Sequence, residues 1–503
     1  MDITMYCTVR FSANSMSRRD ETRPNVLLIV MDSVRARNTS LHGYERETTP
    51  ELERFAERST VYTQARAPSN KSIPSHASIF TGLNAVEHQL FDSTRRLRAG
   101  NTVWEELSDQ YGYQTCVISG NEFLIEVPIG LNTAFQSTRM ERDVRLPFPE
   151  ALDPLEFFAT GSESRYGGFL ASAVETGRPI RSLWNGLILT CDFIDVPLPK
   201  RLKPSEVDCR GYTRLCLDWI SSRDAPWAAC INYMDAHLPY LPIEGHNAWG
   251  GDRVVDLMNE IDSFWEFHSG DRPIDELEAL EDLYDGCIHQ VDSSVGHLLA
   301  RLESMGELED TLVVITSDHG EGFGERDPVR GTRAVGHGVS GGLHEMLFHV
   351  PLLVKYPGQD AERTTDRVVS LTHFPSVVDA VLDGNWDYEA FVTDGPVLAS
   401  MGPLAPREED TVRGLIDDVT PFEYGGRVVY EDSGRGVVKH VRWNSKETKI
   451  LCRSAREREP LPDDDAERVD AVFEDYSDRD VLADEGVEIS DSTRQQLEKL
   501  GYV

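Results

Sequence analysis

Asn25-Val26-Leu27-Leu28-Ile29-Val30-Met31-Asp32 is an apolar run, rich in branched side chains, that ends on a carboxylate. With no polar alternation and a length short of an ordinary helix, residues 26–31 read as a strand buried on both faces of a sheet. Similar runs recur at 115–118, 227–233, 312–316 and 350–354 and are read as further parallel strands. Helical patterns lie between them. In 277–302, Leu280, Leu283, Tyr284, Ile288, Val291, Val295 and Leu299 recur at threes and fours, as on one helix face. Strands alternating with helices predict an α/β fold whose sheet is covered on both sides.

Polar residues follow these strands closely: Asp32 after the first, Asn121 after the second, Asp235 and His237 after the third, Asp318 and His319 after the fourth. Open α/β sheets bind ligands outside the carboxyl ends of their strands, so these residues can converge although they are far apart in the chain. Residues 1–23 form a polar N-terminal extension, and 24–358 the large domain. Within it, 150–204 shows no clear period and reads as an insertion or lid. After Gly358 the segments shorten, with strand candidates at 428–430 and 437–441, the acidic loop Asp463-Asp464-Asp465 and a helix candidate at 490–500. Residues 359–503 are therefore expected to form a smaller α+β domain.

A chain of 503 residues is long enough for this division. Its formal charge of -36 comes from 86 acidic against 50 basic residues, only eight of them Lys. Such a surface repels the phosphates of duplex nucleic acid, which is excluded as a partner. A halophilic source fits the acidic, Arg-for-Lys composition, because concentrated salt screens self-repulsion; an acidic mesophilic protein is the alternative. The eight Cys are scattered without a CxxC pair and read as reduced, structural thiols. No apolar window of roughly 18 residues and no signal-peptide pattern is visible, which leads to the expectation of a soluble, cytoplasmic protein without a transmembrane segment.

Ser72-Ile73-Pro74-Ser75-His76-Ala77-Ser78-Ile79-Phe80-Thr81-Gly82 carries Pro near a helix start and apolar residues beyond it. Ser72 thus sits at or just before a helix N-terminus, where free N–H groups favour an oxyanion. A serine hydroxyl needs a base or cation to act as a nucleophile; taken alone, Ser72 reads first as an ordinary helix cap. Asp318-His319-Gly320-Glu321 changes the balance, since carboxylate and imidazole together suit a divalent ion. Asp32 offers a second carboxylate. These three residues and the Ser72 hydroxyl make a four-ligand set, although singly Asp32 can be a cap and His319 a buried hydrogen-bonder. His237 in Asp235-Ala236-His237 and His337 in Gly336-His337-Gly338 provide imidazoles able to bind an anionic ester or protonate a leaving alcohol. Either of the two has a structural role as its alternative.

These segments resemble the sulfatase family of the alkaline phosphatase superfamily. Residues 25–32 look like its first strand and metal aspartate, Ser72-Ile73-Pro74-Ser75-His76 through Thr81-Gly82 like its nucleophile signature, and Ser317-Asp318-His319-Gly320-Glu321 like its second metal motif. The resemblance, covering residues 24–358, implies a large, mixed, mostly parallel sheet sandwiched by helices with a smaller C-terminal domain. It also implies a metal-dependent hydrolase of sulfate or phosphate esters acting through a covalent Ser72 intermediate. Family members that convert a Cys or Ser to formylglycine carry an Arg two residues after the signature proline; here that position is His76. An unmodified Ser72 favours phosphoryl chemistry, since a sulfated serine lacks release by hemiacetal collapse. With Asp318-His319 in place of an aspartate-asparagine pair, Mn²⁺ or Zn²⁺ is favoured for the single divalent ion, with Ca²⁺ as the alternative.

In this reading Asp32, Asp318 and His319 hold the metal, Ser72 attacks, and His237 and His337 bind oxygens or protonate the leaving group. Lys71, His76, Asn121 and Asp235 line the substrate pocket. The expected partner is a small-molecule, glycan or lipid ester. A phospho- or sulfo-group transferase onto a glycan or lipid, and a non-catalytic binding protein of the same fold, are the alternatives.

Overall fold

The 25–32 run forms strand β1 (Asn25–Met31), buried along its whole length. Its residues divide by parity, as a period of two requires: Val26, Leu28 and Val30 enter one apolar core, and Leu27, Ile29 and Met31 the other. Fully burying one such side chain contributes about 1.5–3 kcal/mol, so β1 anchors both layers at once. The computed structural model describes residues 23–140, 208–223, 226–462, 468–484 and 486–487, with shorter stretches between 148 and 193.

β1 lies inside an eight-stranded sheet with β2 (Thr60–Arg66), β3 (Gln114–Ser119), β4 (Ser137–Arg139), β5 (Trp227–Tyr233), β6 (Thr311–Thr316), β9 (Leu352–Lys355) and β10 (Arg363–Ser370). The order is β10-β2-β9-β6-β1-β5-β3-β4. All neighbours are parallel except β9, which runs antiparallel to both β2 and β6. The run at 350–354 is thus a strand of the opposite direction to the one expected, because a burial pattern carries no polarity. β10 shows that the large sheet draws on residues beyond 358.

The long helix Ile274–Met305 covers one face, burying Leu280, Leu283, Tyr284, Ile288, Val291, Val295 and Leu299. The helix Ser72–Thr81 covers the other through Ile73, Ala77, Ile79 and Phe80. A two-stranded hairpin, β7 (Gly322–Arg326) and β8 (Arg333–Gly336), stands at the carboxyl edge. The remaining strands, β11 (Val397–Met401), β12 (Gly426–Ser433), β13 (Gly436–Trp443), β14 (Lys446–Cys452) and β15 (Arg458–Leu461), form an antiparallel sheet in that order. The architecture is an α/β fold with a large mixed, mostly parallel sheet and a C-terminal antiparallel sheet.

An ion cluster joins the two sheets. Glu345 lies 2.8 Å from Arg66 Nε of β2 and 3.0 Å from Lys439 Nζ of β13, and all three side chains are fully buried. Tyr430 Oη donates to the same carboxylate. Within 150–204 the helix Pro179–Phe193 is described, while residues 1–22 and the helix expected at 490–500 lie outside the described residues. Among the described residues, six cysteines are buried and free. No helix among the described residues is long and apolar enough to cross a membrane.

Candidate active site

β1 and β6 are adjacent, parallel and paired Val30 with Thr316. Two residues beyond each partner stand Asp32 and Asp318, so the sheet register alone brings these carboxylates together. Between them the backbone of Ser33 takes a left-handed conformation, φ 65°, which costs a non-glycine residue roughly 1 kcal/mol or more. The turn has a use. Ser33 Oγ donates to Asp32 Oδ1 at 3.0 Å, and its amide donates to Asp318 Oδ1 at 3.3 Å.

His319 completes the group. Its Nε2 lies 3.4 Å from Asp318 Oδ2 and 3.8 Å from Asp32 Oδ1, and all three side chains are fully buried. Nδ1 of His319 lies 2.9 Å from the Gly320 carbonyl. A proton on Nδ1 satisfies that acceptor and leaves the Nε2 lone pair directed at the carboxylates. Asp318 Oδ2 is buried without a hydrogen-bond partner, which is costly unless a cation meets it. Two carboxylates, one of them with an orphaned oxygen, and one imidazole nitrogen fit a divalent ion. Burial works to raise the Asp32 pKa, but His237, His319 and His76 outweigh it and the carboxyl is lowered. For His319 burial works downward, and Asp318 and Asp32 override it to raise the imidazole.

Ser72 is the first residue of its helix, with Lys71 extended before it. Its Oγ lies 3.1 Å from His319 Nε2, which puts the hydroxyl beside the carboxylates rather than over the helix end as a cap. Three bonds hold the helix start in place: Ser75 Oγ donates to the Asp318 carbonyl, and the Asn70 amide donates to the carbonyls of Gly338 and Gly342, both at 2.7 Å.

Three imidazoles converge here. The His337 ring lies 4.6 Å from that of His319 and 4.8 Å from that of His237. Glu321, fully buried, approaches His337 Nδ1 at 3.2 Å. Burial pushes the Glu321 carboxyl up to about 7 against the lowering influence of His237 and His319.

The residues expected around the substrate fare differently. His76 is fully buried, with Nδ1 2.9 Å from the Ser72 carbonyl and 3.5 Å from Asp318 Oδ2, and its ring packs edge-on against Phe80. It lies inside the molecule and braces the helix Ser72–Thr81. Asn121 caps the helix Glu122–Ile125 through Phe123 N, and its amide lies 3.5 Å from Asp32 Oδ2, supporting that carboxylate. Asp235 is engaged elsewhere: its carboxylate accepts from Cys209 N and from Gln290 Nε2, tying the loop to two helices. Lys71 pairs with Glu408 at 3.1 Å, reaching the helix Pro406–Leu415. Short motifs do not reveal which polar neighbour a side chain will find.

Some contributors lay unassigned in the sequence. Asn232 donates to Asp32 Oδ2 at 3.1 Å and to Ser119 Oγ at 3.1 Å. A polar residue inside the apolar run 227–233 was the available signal. Glu321 sat unassigned within the Asp318-His319-Gly320-Glu321 motif.

A family model described as Sulfatase matches residues 24–383. Among curated proteins, the chain is 24% identical over 376 residues to the multifunctional alkaline phosphatase superfamily protein PehA of Trinickia caryophylli, covering 67% of this chain and 69% of that protein. It is 22% identical over 367 residues to human iduronate 2-sulfatase, covering 67% of this chain and 60% of the relative. The chain thus spans between 60% and 69% of the length of these two proteins. Among solved structures, the phosphonate monoester hydrolase of Agrobacterium radiobacter superposes with a TM-score of 0.57 at 18% identity, covering 96% of both chains.

Proposed function

This chain belongs to the sulfatase family, within the alkaline phosphatase superfamily, and we propose that it hydrolyses phosphate esters through an unmodified Ser72 nucleophile at a divalent-metal centre. The carrying observation is the 3.1 Å approach of Ser72 Oγ to His319 Nε2, the atom that also faces Asp318 and Asp32. Asp32, Asp318 and His319 would hold the ion, with Mn²⁺ or Zn²⁺ suited to the mixed oxygen and nitrogen set. When bound, that ion supplies the positive charge that lowers the serine pKa and screens the ester anion.

The residues divide the work as follows. Ser72 Oγ, its proton already given up to solvent, attacks phosphorus as an alkoxide, and the bond to the leaving oxygen breaks. His337 gives that oxygen a proton, while His237 holds a nonbridging oxygen. Water then attacks the Ser72 ester, releasing phosphate and returning the proton to the imidazole. His76 in place of the arginine that accompanies formylglycine formation supports an unmodified serine, and with it phosphoryl rather than sulfuryl transfer. The acidic, Lys-poor composition supports a salt-rich cytoplasm as the setting.

Protein purified in high salt with Mn²⁺ and offered p-nitrophenyl sulfate, p-nitrophenyl phosphate and bis-p-nitrophenyl phosphate tests this. Turnover of a phosphate ester, lost in Ser72→Ala, is the expected result, with the intact mass of the Ser72 peptide showing serine. Turnover of the sulfate alone, or a formylglycine mass, overturns the phosphoryl assignment.

A further inference from the structure

The hairpin of β7 and β8 pairs Gly322 with Gly336 and Phe323 with Val335. One step beyond the glycine pair, the register sets Glu321 against His337. Glycine makes the approach possible: a Cβ on Gly322 would stand 2.8 Å from the Ala334 carbonyl, and Gly336 adopts φ +62°. Both Glu321 carboxylate oxygens lie 3.2 Å from His337 Nδ1.

Each partner is anchored independently. The Glu321 carbonyl accepts from Arg35 Nη1 at 3.1 Å, and Arg35 is itself fully buried. Beside His337, Gly338 N donates to the Asn70 carbonyl at 2.7 Å, while the Asn70 side chain returns a bond to Gly338 O. Asn70 stands two residues before Ser72, so this exchange ties the imidazole turn to the nucleophile helix.

We propose that Glu321 is the positioning residue of the leaving-group acid: its carboxylate accepts Nδ1–H of His337, holding the ring so that Nε2 is the nitrogen that exchanges a proton with the ester. The proposal rests on the reading of His337 given above. In the first step Nε2–H passes its proton to the departing oxygen as the phosphorus–oxygen bond breaks. In the second, Nε2 takes a proton from the attacking water as the Ser72 ester is cleaved, which returns the dyad to its starting state. Nδ1–H stays on Glu321 throughout. A carboxylate behind a catalytic imidazole fixes tautomer and orientation in this way, and loss of such a partner typically costs 10–100-fold.

Leaving-group dependence tests the idea, because a purely structural role does not discriminate between leaving groups. Wild type, Glu321→Gln and Glu321→Asp are compared on p-nitrophenyl phosphate, whose phenolate departs without help, and on benzyl phosphate, whose alkoxide needs a proton. Glu321→Gln is expected to lower kcat on the benzyl ester about 10–100-fold with little change in KM, and to lower it only a few-fold on the nitrophenyl ester. Equal losses on both esters, or none on either, overturn the proposal. If Glu321→Gln does not fold, the same benzyl-to-nitrophenyl ratio in Glu321→Asp decides. Absence of any turnover by wild type sinks the hydrolase reading and this one with it, whereas wild-type turnover with an unchanged ratio sinks this one alone.

Discussion

Asn232 Nδ2 donates to Asp32 Oδ2 across 3.1 Å, joining residues 200 positions apart. The same amide reaches Ser119 Oγ, so ends of β3 and β5 together orient a carboxylate carried on β1. A carboxylate fixed in this manner loses little freedom when it meets a cation, which is how outer partners raise metal affinity. Asn232→Ala should therefore raise the Mn²⁺ concentration needed for half-maximal thermal stabilisation by about 10–100-fold. An unchanged titration midpoint would exclude this role.

Ser72→Ala and chelation separate chemistry from metal binding. The variant is expected to lose at least about 10³-fold in kcat, yet still gain thermal stability from Mn²⁺, because Asp32, Asp318 and His319 remain. Chelation of the wild type should abolish turnover and lower the unfolding midpoint, both restored by added Mn²⁺. Full activity after exhaustive chelation contradicts the metal assignment.

Glu345→Gln should destabilise the fold by about 3–5 kcal/mol, since it leaves Arg66 and Lys439 buried together with no counter-charge. Adding Lys439→Met to that variant removes one of the two uncompensated cations and is expected to restore part of the loss. Urea unfolding of the single and double variants provides the check, and a single variant within 1 kcal/mol of wild type, roughly the scale of an exposed pair, would show the cluster to be dispensable.

Glu325 links stability to acid. Burial works to raise its carboxyl, but Arg35, 2.6 Å away, His344 and backbone donors together outweigh it and hold it at about 2, below an ordinary 4.5. A depressed folded-state value means that the stabilisation is complete above pH 4.5 and is lost as pH falls from there toward 2. The stake is on the order of 3 kcal/mol. Unfolding free energy measured across that window should fall less steeply in Glu325→Gln than in wild type; parallel slopes would count against the linkage.

Much of this architecture was legible in the chain itself. β5 occupies the range 227–233 read from its apolar run, and the long helix buries the residues that its period selected. Asp32, Asp318, His319 and Ser72 converge, as their positions after strands and at a helix start suggested. Alternation and spacing are local properties, set by which side chains must leave water, and they survive in a linear string.

Tertiary structure alone decided the rest. β2 carries Thr60, Gln64 and Arg66 and shows no apolar run, because its polar groups are satisfied by partners from distant segments, Arg66 by Glu345 among them. β9 reversed direction, which no burial pattern encodes. Asp235 went to Cys209 and Gln290, and Lys71 to Glu408, while Asn232 and Glu321 entered the site instead. The sequence by itself determined the apolar strands, their order along the chain and the chemistry carried at their ends. Which buried polar group meets which was set by the sheet's pairing order and register, since a hydrogen bond is a relation between two places and a motif describes only one of them.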